Sequence, residues 1–338
     1  MAETCPTVVE VSVWVAPERA DLVAGVLQQM LPRIAVIGVG GPRCAAVDQL
    51  ARQWGVAADD DLRRLVIQRP AAYLLLADPQ GVPLAPLAQA AGAGATVLAL
   101  EPIAAGTHDL EAAPHAPGPG APGWLRRVAH LPALAAAPGW WHAADPAQAL
   151  NPVRSIAAIH LGPAGEASLF ARLFDAWDAV LHFTDIPETI AASLAGPLTH
   201  LPDSVRKLTG WLAAHGRCAD GRSVVLQVCD RAGRGDRDLR VLGDGGQWHM
   251  TDLAYTLHDP AGQLLDSWAA TDLADSAAAR VVEQWTTLLD RPAADAAAGP
   301  DPASALGQTL ACCAACLLSC RTGQPESPAK LQALGRRG

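Results

Sequence analysis

From residue 8 onward the apolar and polar positions change period along the chain. Val8 to Val15 reads as a buried strand, Glu18 to Met30 repeats at helical spacing, and Arg33 to Val39 reads as a second strand. A helix from about Arg43 to Trp54 follows. A short one comes after Asp59-Asp60-Asp61, whose carboxylates suit the positive end of a helix. Ala71 to Ala77 is a third strand, Leu84 to Ala91 a helix and Thr96 to Leu100 a fourth strand. Strands separated by helices of this length predict parallel βαβ units. The expected fold class is α/β, with an N-terminal Rossmann-like parallel sheet carrying helices on both faces.

The Pro/Gly-rich run from Ala113 to Gly123 interrupts this pattern. Beyond it, Val153 to Leu161 reads as a strand and Ser168 to Phe183 as an apolar helix. Strands then succeed one another at Thr189 to Leu194, Gly210 to His215, Ser223 to Val228, Leu239 to Leu242 and Gln247 to Leu253. Turn signals separate them at Asp220-Gly221, Gly233 and Gly235, Asp244-Gly245-Gly246 and Ala261-Gly262. Such a succession predicts a C-terminal α+β domain with an open antiparallel sheet, closed by helices from about Ser276 to Leu289 and Ser304 to Cys320. The expected organisation is a Rossmann-like domain over residues 1–112, a linker and interdomain segment over 113–150, and a substrate or oligomerisation domain over 151–338.

Composition sharpens this picture. The 338 residues are 50% hydrophobic and 17% charged, with a formal net charge of −9. That supports a large core rather than disorder, and the acidic balance argues against a nucleic-acid partner. Met1 to Cys5 has no basic n-region leading into an apolar run. The longest apolar stretches, Ala93 to Leu100 and Leu310 to Leu318, fall short of the ~20 residues of a bilayer span, so a cytoplasmic protein with no membrane partner is expected. Ten tryptophans stand against two tyrosines and three phenylalanines, and Lys207 and Lys330 are the only lysines.

Several motifs invite a chemical reading. Gly38-Val39-Gly40-Gly41-Pro42-Arg43 resembles a dinucleotide fingerprint, but Arg43 stands where the third glycine is needed and the turn ends the second strand rather than the first. The first turn is Ala16-Pro17-Glu18-Arg19. It has no glycine, Pro17 removes a donor, and Glu18 sets a negative charge where a pyrophosphate would meet the helix end. Cys312, Cys313, Cys316 and Cys320 place three sulfurs on one helical face, which buried packing explains without a metal. The basic run Arg231 to Arg240 reads as a solvated hairpin loop, and Trp140-Trp141-His142 as either a stacking surface or a buried interdomain anchor.

The order of elements and several strings resemble the Gfo/Idh/MocA family of nicotinamide-dependent sugar and polyol dehydrogenases. Asp61 to Leu65 before the strand ending Ala77-Asp78-Pro79, and Ala88 to Gly94 before Thr96-Val-Leu-Ala-Leu-Glu101-Pro102, look like its first domain. Leu201 to Ser204, Thr209-Gly210, Asp220-Gly221, Arg240 to Gly245 and Ser319 to Pro325 look like its second. The resemblance implies NAD or NADP as cofactor, with Ala16, Glu18, Asp78, Pro79, Glu101 and Pro102 lining its place, and a sugar- or polyol-like ligand. It also implies association of like or homologous subunits, a homo- or hetero-oligomer, through the C-terminal sheet.

The catalytic residues depart from the pattern. The lysine that the family sets beside the nicotinamide falls at Glu101, and no shifted alignment restores it because residues 1–206 contain no lysine. The family's histidine and the aspartate three residues later fall on Asp175 and Asp178. Glu101, Asp175 and Asp178 are therefore the candidate catalytic carboxylates, since burial raises carboxyl pKa values toward a useful base. The plainer reading sets the two aspartates on the exposed side of a helix, or pairs them with Arg172 and its neighbours. Three functions remain open: an atypical oxidoreductase, a non-catalytic pseudo-enzyme binding a carbohydrate-like ligand or a homologous partner, and a cofactor-independent lyase or isomerase. The departures point to a divergent member whose nicotinamide site is weakened or lost.

Overall fold

Residues 8–111, 123–143, 145–197, 200–271, 274, 276–290 and 302–335 are described in the computed structural model. The chain begins β1 (Val9–Val15), α1 (Ala20–Met30), β2 (Ile34–Gly40), α2 (Ala45–Gln53), β3 (Ala58–Asp59), α3 (Leu62–Gln68) and β4 (Tyr73–Ala77). It continues through α4 (Leu84–Gly92), β5 (Thr96–Ala99), α5 (Thr107–Glu111), β6 (Val128–His130), α6 (Pro138–His142), α7 (Pro146–Ala149), β7 (Val153–Pro163) and α8 (Leu169–Leu181). The strands β8 (Thr189–Ala195), β9 (Trp211–Arg217), β10 (Ser223–Cys229), β11 (Arg231–Gly243), β12 (Gly246–Thr251), β13 (Ala254–His258) and β14 (Leu264–Ala269) follow. The last helices are α9 (Ala277–Asp290), α10 (Pro302–Thr322) and α11 (Pro328–Gly335).

Two units result, one of residues 1–103, 113–131 and 277–303, the other of residues 104–112, 132–276 and 304–338. The first holds a six-stranded sheet in the order β3-β2-β1-β4-β5-β6, with every pair parallel. Val11, Val13 and Val15 of β1 pack under α1, α2 and α9 on one face. On the other, Ser12 donates to the Arg69 carbonyl at the end of α3 and Gly38 lies against Leu65. Burial on both faces is what a central parallel strand requires, and it explains the unbroken apolar run of β1. Asp61 caps α3 by accepting from Arg63 N at 2.9 Å, as its place before the helix predicts.

The boundaries drawn from sequence differ from these units. Ala113 to Pro122 lie outside the described residues, but within the stretch assigned to a linker Trp124 and Leu125 are buried and β6 pairs with β5. The helix assigned to the C-terminal domain, α9, belongs to the first unit, where Trp285 is fully buried beside Tyr73. The Gly38–Gly41 segment is structural: a Cβ on Gly41 would meet the Val15 carbonyl oxygen at 2.1 Å.

The second unit holds an eight-stranded sheet in the order β14-β13-β12-β11-β7-β10-β9-β8. It is mixed rather than purely antiparallel, since β7 and β10 run parallel. The basic run Arg231 to Arg240 is not a hairpin loop but part of β11, which pairs with β7 from Arg231, bulges, and resumes at Asp236. One face of the sheet, carrying Ile156, Ala158, Val224 and Leu226, is buried, while Trp211, Val225 and Leu242 point out from the other at 52, 40 and 43% exposure. Helix α8 opens with Ser168, whose hydroxyl accepts from Ala171 N at 3.0 Å, and buries Leu169, Phe170, Leu173, Phe174 and Trp177.

Helix α10 is longer than its apolar core suggested. Residues Ala303–Thr322 are long and apolar enough to cross a bilayer by length and composition, yet 56% of that window is buried inside the fold. Cys312, Cys313 and Cys316 are fully buried there, and Trp177 donates its indole N–H to the Cys316 sulfur at 3.4 Å. This is the packing role that helical spacing implied for Cys312 and Cys316, while Cys320, the third member of that face, is only partly buried.

Candidate functional site

The six residues assigned to a dinucleotide gather at the carboxyl ends of β1, β4 and β5. Ala16 follows β1, is buried, and donates to the Ala77 carbonyl at 2.9 Å. Pro17 to Arg19 form a 3-10 turn in which Glu18 is exposed and Arg19 turns inward at 1% exposure. Asp78 accepts from the Trp14 indole at 3.3 Å and from Gln80 N at 2.9 Å, and Pro79 beside it is buried. Glu101 and Pro102 are buried beyond the end of β5.

Arg19 and Glu101 form an ion pair with side-chain exposures of 1% and 3%. Isolated charges at this depth would each cost several kcal/mol, so the pair persists because each ion satisfies the other. Beside it, Leu76, Asp78, Val82, Glu101 and Pro102 bound a cavity of about 10 Å³. That is room for about one water.

Asp175 and Asp178 lie in the second unit on α8, and the structure gives them different characters. Asp175 accepts from Leu134 N at 2.8 Å and from Arg237 Nη1 at 2.8 Å, with His160 Nδ1 at 3.2 Å. Arg237 also grips Asp252 and donates to the Pro132 carbonyl at 2.7 Å. Burial pushes the Asp175 carboxyl up, but the Arg237 guanidinium, His160 and the Leu134 N–H outweigh it and hold the group well below the usual carboxylate range. It keeps its charge and serves as a fixed anion. Arg172 and its neighbouring arginines were the expected partners; the arginine that pairs with Asp175 is Arg237, while Arg172 donates to the carbonyls of Leu161 at 2.9 Å and Pro163 at 3.0 Å.

Asp178 is not on the exposed side of its helix either. Burial pushes its carboxyl up to about 6, the Asp175 charge adds to the effect and His182 opposes it. One turn on, His182 is exposed, with Nδ1 at 2.8 Å from the Asp178 backbone carbonyl. If the Nδ1–H donates there, Nε2 is the basic nitrogen. The edge of Trp140 meets the His182 ring at a centroid distance of 5.1 Å, and Trp140 also contacts Phe183 and Trp248. Trp140 and Trp141 are therefore not a buried pair: Trp141 is 49% exposed, and His142 stacks on Trp268 at 4.1 Å.

Sequence reasoning selected Asp175 and Asp178 but missed His160, His182, Arg19 and Arg237. For His182 a signal existed, because four residues from Asp178 is one helical turn. Arg237 was hidden within a run of charges that read as solvated.

No family model matches the chain, and no curated protein matches it. Solved structures do. GenD2 from gentamicin A biosynthesis, solved in complex with NAD, superposes with a TM-score of 0.67 at 14% identity, over 95% of this chain and 96% of its own. A myo-inositol dehydrogenase from Corynebacterium glutamicum gives 0.63 at 15%, over 95% and 98%. A scyllo-inositol dehydrogenase from Lactobacillus casei, solved as the apo form, gives 0.69 at 13%, over 96% and 100%. Together with the six-stranded parallel sheet and the second mixed sheet, these likenesses establish that the chain has the fold of the Gfo/Idh/MocA oxidoreductases.

Proposed function

We propose that this protein is a divergent relative of the NAD(P)-dependent sugar and polyol dehydrogenases that binds a small sugar- or polyol-like ligand and moves a proton on it, with its nicotinamide site degenerate. The observation that carries this reading is the Asp178–His182 pair. A carboxyl that burial raises to about 6 is matched to proton transfer at neutral pH, and the exposed ring of His182 stands one helical turn away. On an α-hydroxy-carbonyl compound that chemistry is isomerisation: the base takes the C–H proton of the hydroxyl-bearing carbon and returns it to the former carbonyl carbon, while the hydroxyl proton passes to the former carbonyl oxygen. Asp175 and Arg237 act as positioning groups for α8.

Support for a degenerate nicotinamide site comes from the turn after β1. Ala16-Pro17-Glu18 offers no glycine, lacks one N–H and presents a carboxylate where a pyrophosphate would lie, and position 101 carries no amine. These residues do not fit a dinucleotide. Titration with NADH and NADPH, followed by tryptophan fluorescence, is expected to show no saturation, and saturable micromolar binding would overturn the reading. The ligand side is tested by incubating ketoses and keto-inositols with the protein in D2O. Solvent deuterium should enter a ligand C–H position with the wild type and not with Asp178→Asn.

A second reading is favoured by the exposed Trp211, Val225 and Leu242 on one face of the second sheet. There the protein is a pseudo-enzyme that joins a second subunit, alike or homologous, through that face. Light scattering after size-exclusion chromatography decides it, since a strict monomer that captures no partner leaves it without support.

A further inference from the structure

In an open parallel sheet, ligands enter the crevice outside the carboxyl ends of the strands, at the point where the strand order reverses. Here the order β3-β2-β1-β4-β5-β6 sets that point between β1 and β4. Arg19 stands just beyond the carboxyl end of β1 and Glu101 just beyond that of β5, with β4 between them in the sheet. The ion pair joining them therefore passes over the carboxyl end of β4, across two inter-strand spacings of roughly 10 Å in all. Both side chains are buried, and about 10 Å³ remains open beside them.

We propose that Arg19 and Glu101 are the crevice's own occupant: the buried pair takes the place a dinucleotide would need and holds it shut. This deepens the reading that the nicotinamide site is degenerate and rests on it. The space left beside the pair among these residues, about 10 Å³, holds about one water, so the side chains themselves fill this part of the crevice. The charges work the same way. Alone, Arg19 at the start of α1 would attract a phosphate. Paired with Glu101 its charge is cancelled, so the pair offers an anion no net attraction. Missing turn glycines alone would leave a poor site that is still open to solvent; the ion pair makes it a filled one.

The experiment compares the wild type with Arg19→Gly/Glu101→Ala, which removes both charges together and leaves neither ion buried alone. NADH is the probe, and quenching of tryptophan fluorescence is the readout. Trp14, bonded to Asp78 at the crevice, is a built-in reporter. The expected result is no saturation with the wild type and saturable binding by the folded double variant, tighter by about tenfold or more. A folded double variant that binds no better than wild type overturns the plug and leaves the degenerate-site reading standing. Micromolar binding by the wild type overturns both. Should the double variant fail to melt cooperatively, hydrogen exchange at the Arg19 guanidinium in the intact wild type decides. Slow exchange is expected, and exchange as fast as at the exposed Arg43 overturns the proposal.

Discussion

Arg237 on β11 sets its Nη1 2.8 Å from the Asp175 carboxylate on α8 and turns the rest of its guanidinium to Asp252. A strand, a helix and the turn after β12 are thereby held at one buried cation. Removing one partner of such a cluster strands the others. Arg237→Met should lower the unfolding free energy by about 3–5 kcal/mol, read from urea melts, because two carboxylates then remain buried without their guanidinium. Asp175→Asn should cost less, since Arg237 keeps Asp252.

The pH dependence of stability distinguishes the two aspartates of α8. Asp178, raised to about 6, binds its proton more tightly in the folded protein than in the unfolded chain. Its contribution to stability is therefore full below about pH 4 and is lost as pH rises through 6. Asp175 has a depressed pKa, so its contribution is present above about pH 4 and is lost as pH falls through its folded value. Asp178→Asn should gain about 1–3 kcal/mol over the wild type at pH 7, with the gap closing toward pH 4. Urea melts at pH 4.5, 5.5 and 7 measure it, and a wild-type carboxyl resonance titrating near 4 would contradict it.

The lysine that the family resemblance asks for at position 101 should not be tolerated there by itself. Glu101→Lys sets a second cation against the buried Arg19, and a loss of about 3–5 kcal/mol or failure to fold is expected. Adding Arg19→Gly should recover much of that loss. A double-mutant cycle in thermal melts reads the coupling, and additive effects would show that the two side chains act independently.

The thiols of α10 should be silent in the native protein. Burial raises Cys312 and Cys313 well above the ordinary thiol range and pushes Cys316 up to about 12. Treatment with a disulfide reagent, followed by mass mapping, should leave these three unlabelled until the chain is unfolded.

The N-terminal sheet was legible because its strands are buried on both faces and so read as unbroken apolar runs. Strands β3 and β6, of two and three residues, are too short to carry a period. β14 gives no burial alternation at all, being exposed at Leu264 through Ser267. The first half of β11 was hidden because Arg237 is buried by ion pairing and not by apolarity, a condition that no window of hydrophobicity registers. At the candidate site, Glu101 and Asp178 were found through their positions in motifs. Arg19 was not, because its partner lies 82 residues away.

Helix α9 gives the first unit a particular history. Its Val281 and Trp285 complete a core whose other members, from Val11 to Leu131, were made much earlier in the chain. With the ribosome adding about 5–20 residues each second, roughly 8–30 s pass between the emergence of Leu131 and that of Trp285. During that interval the side of α1 that meets α9 lacks its partner, while all the strands of the second sheet are being made. The first unit therefore completes its core only when α9 arrives, although most of that core precedes the second sheet in the chain.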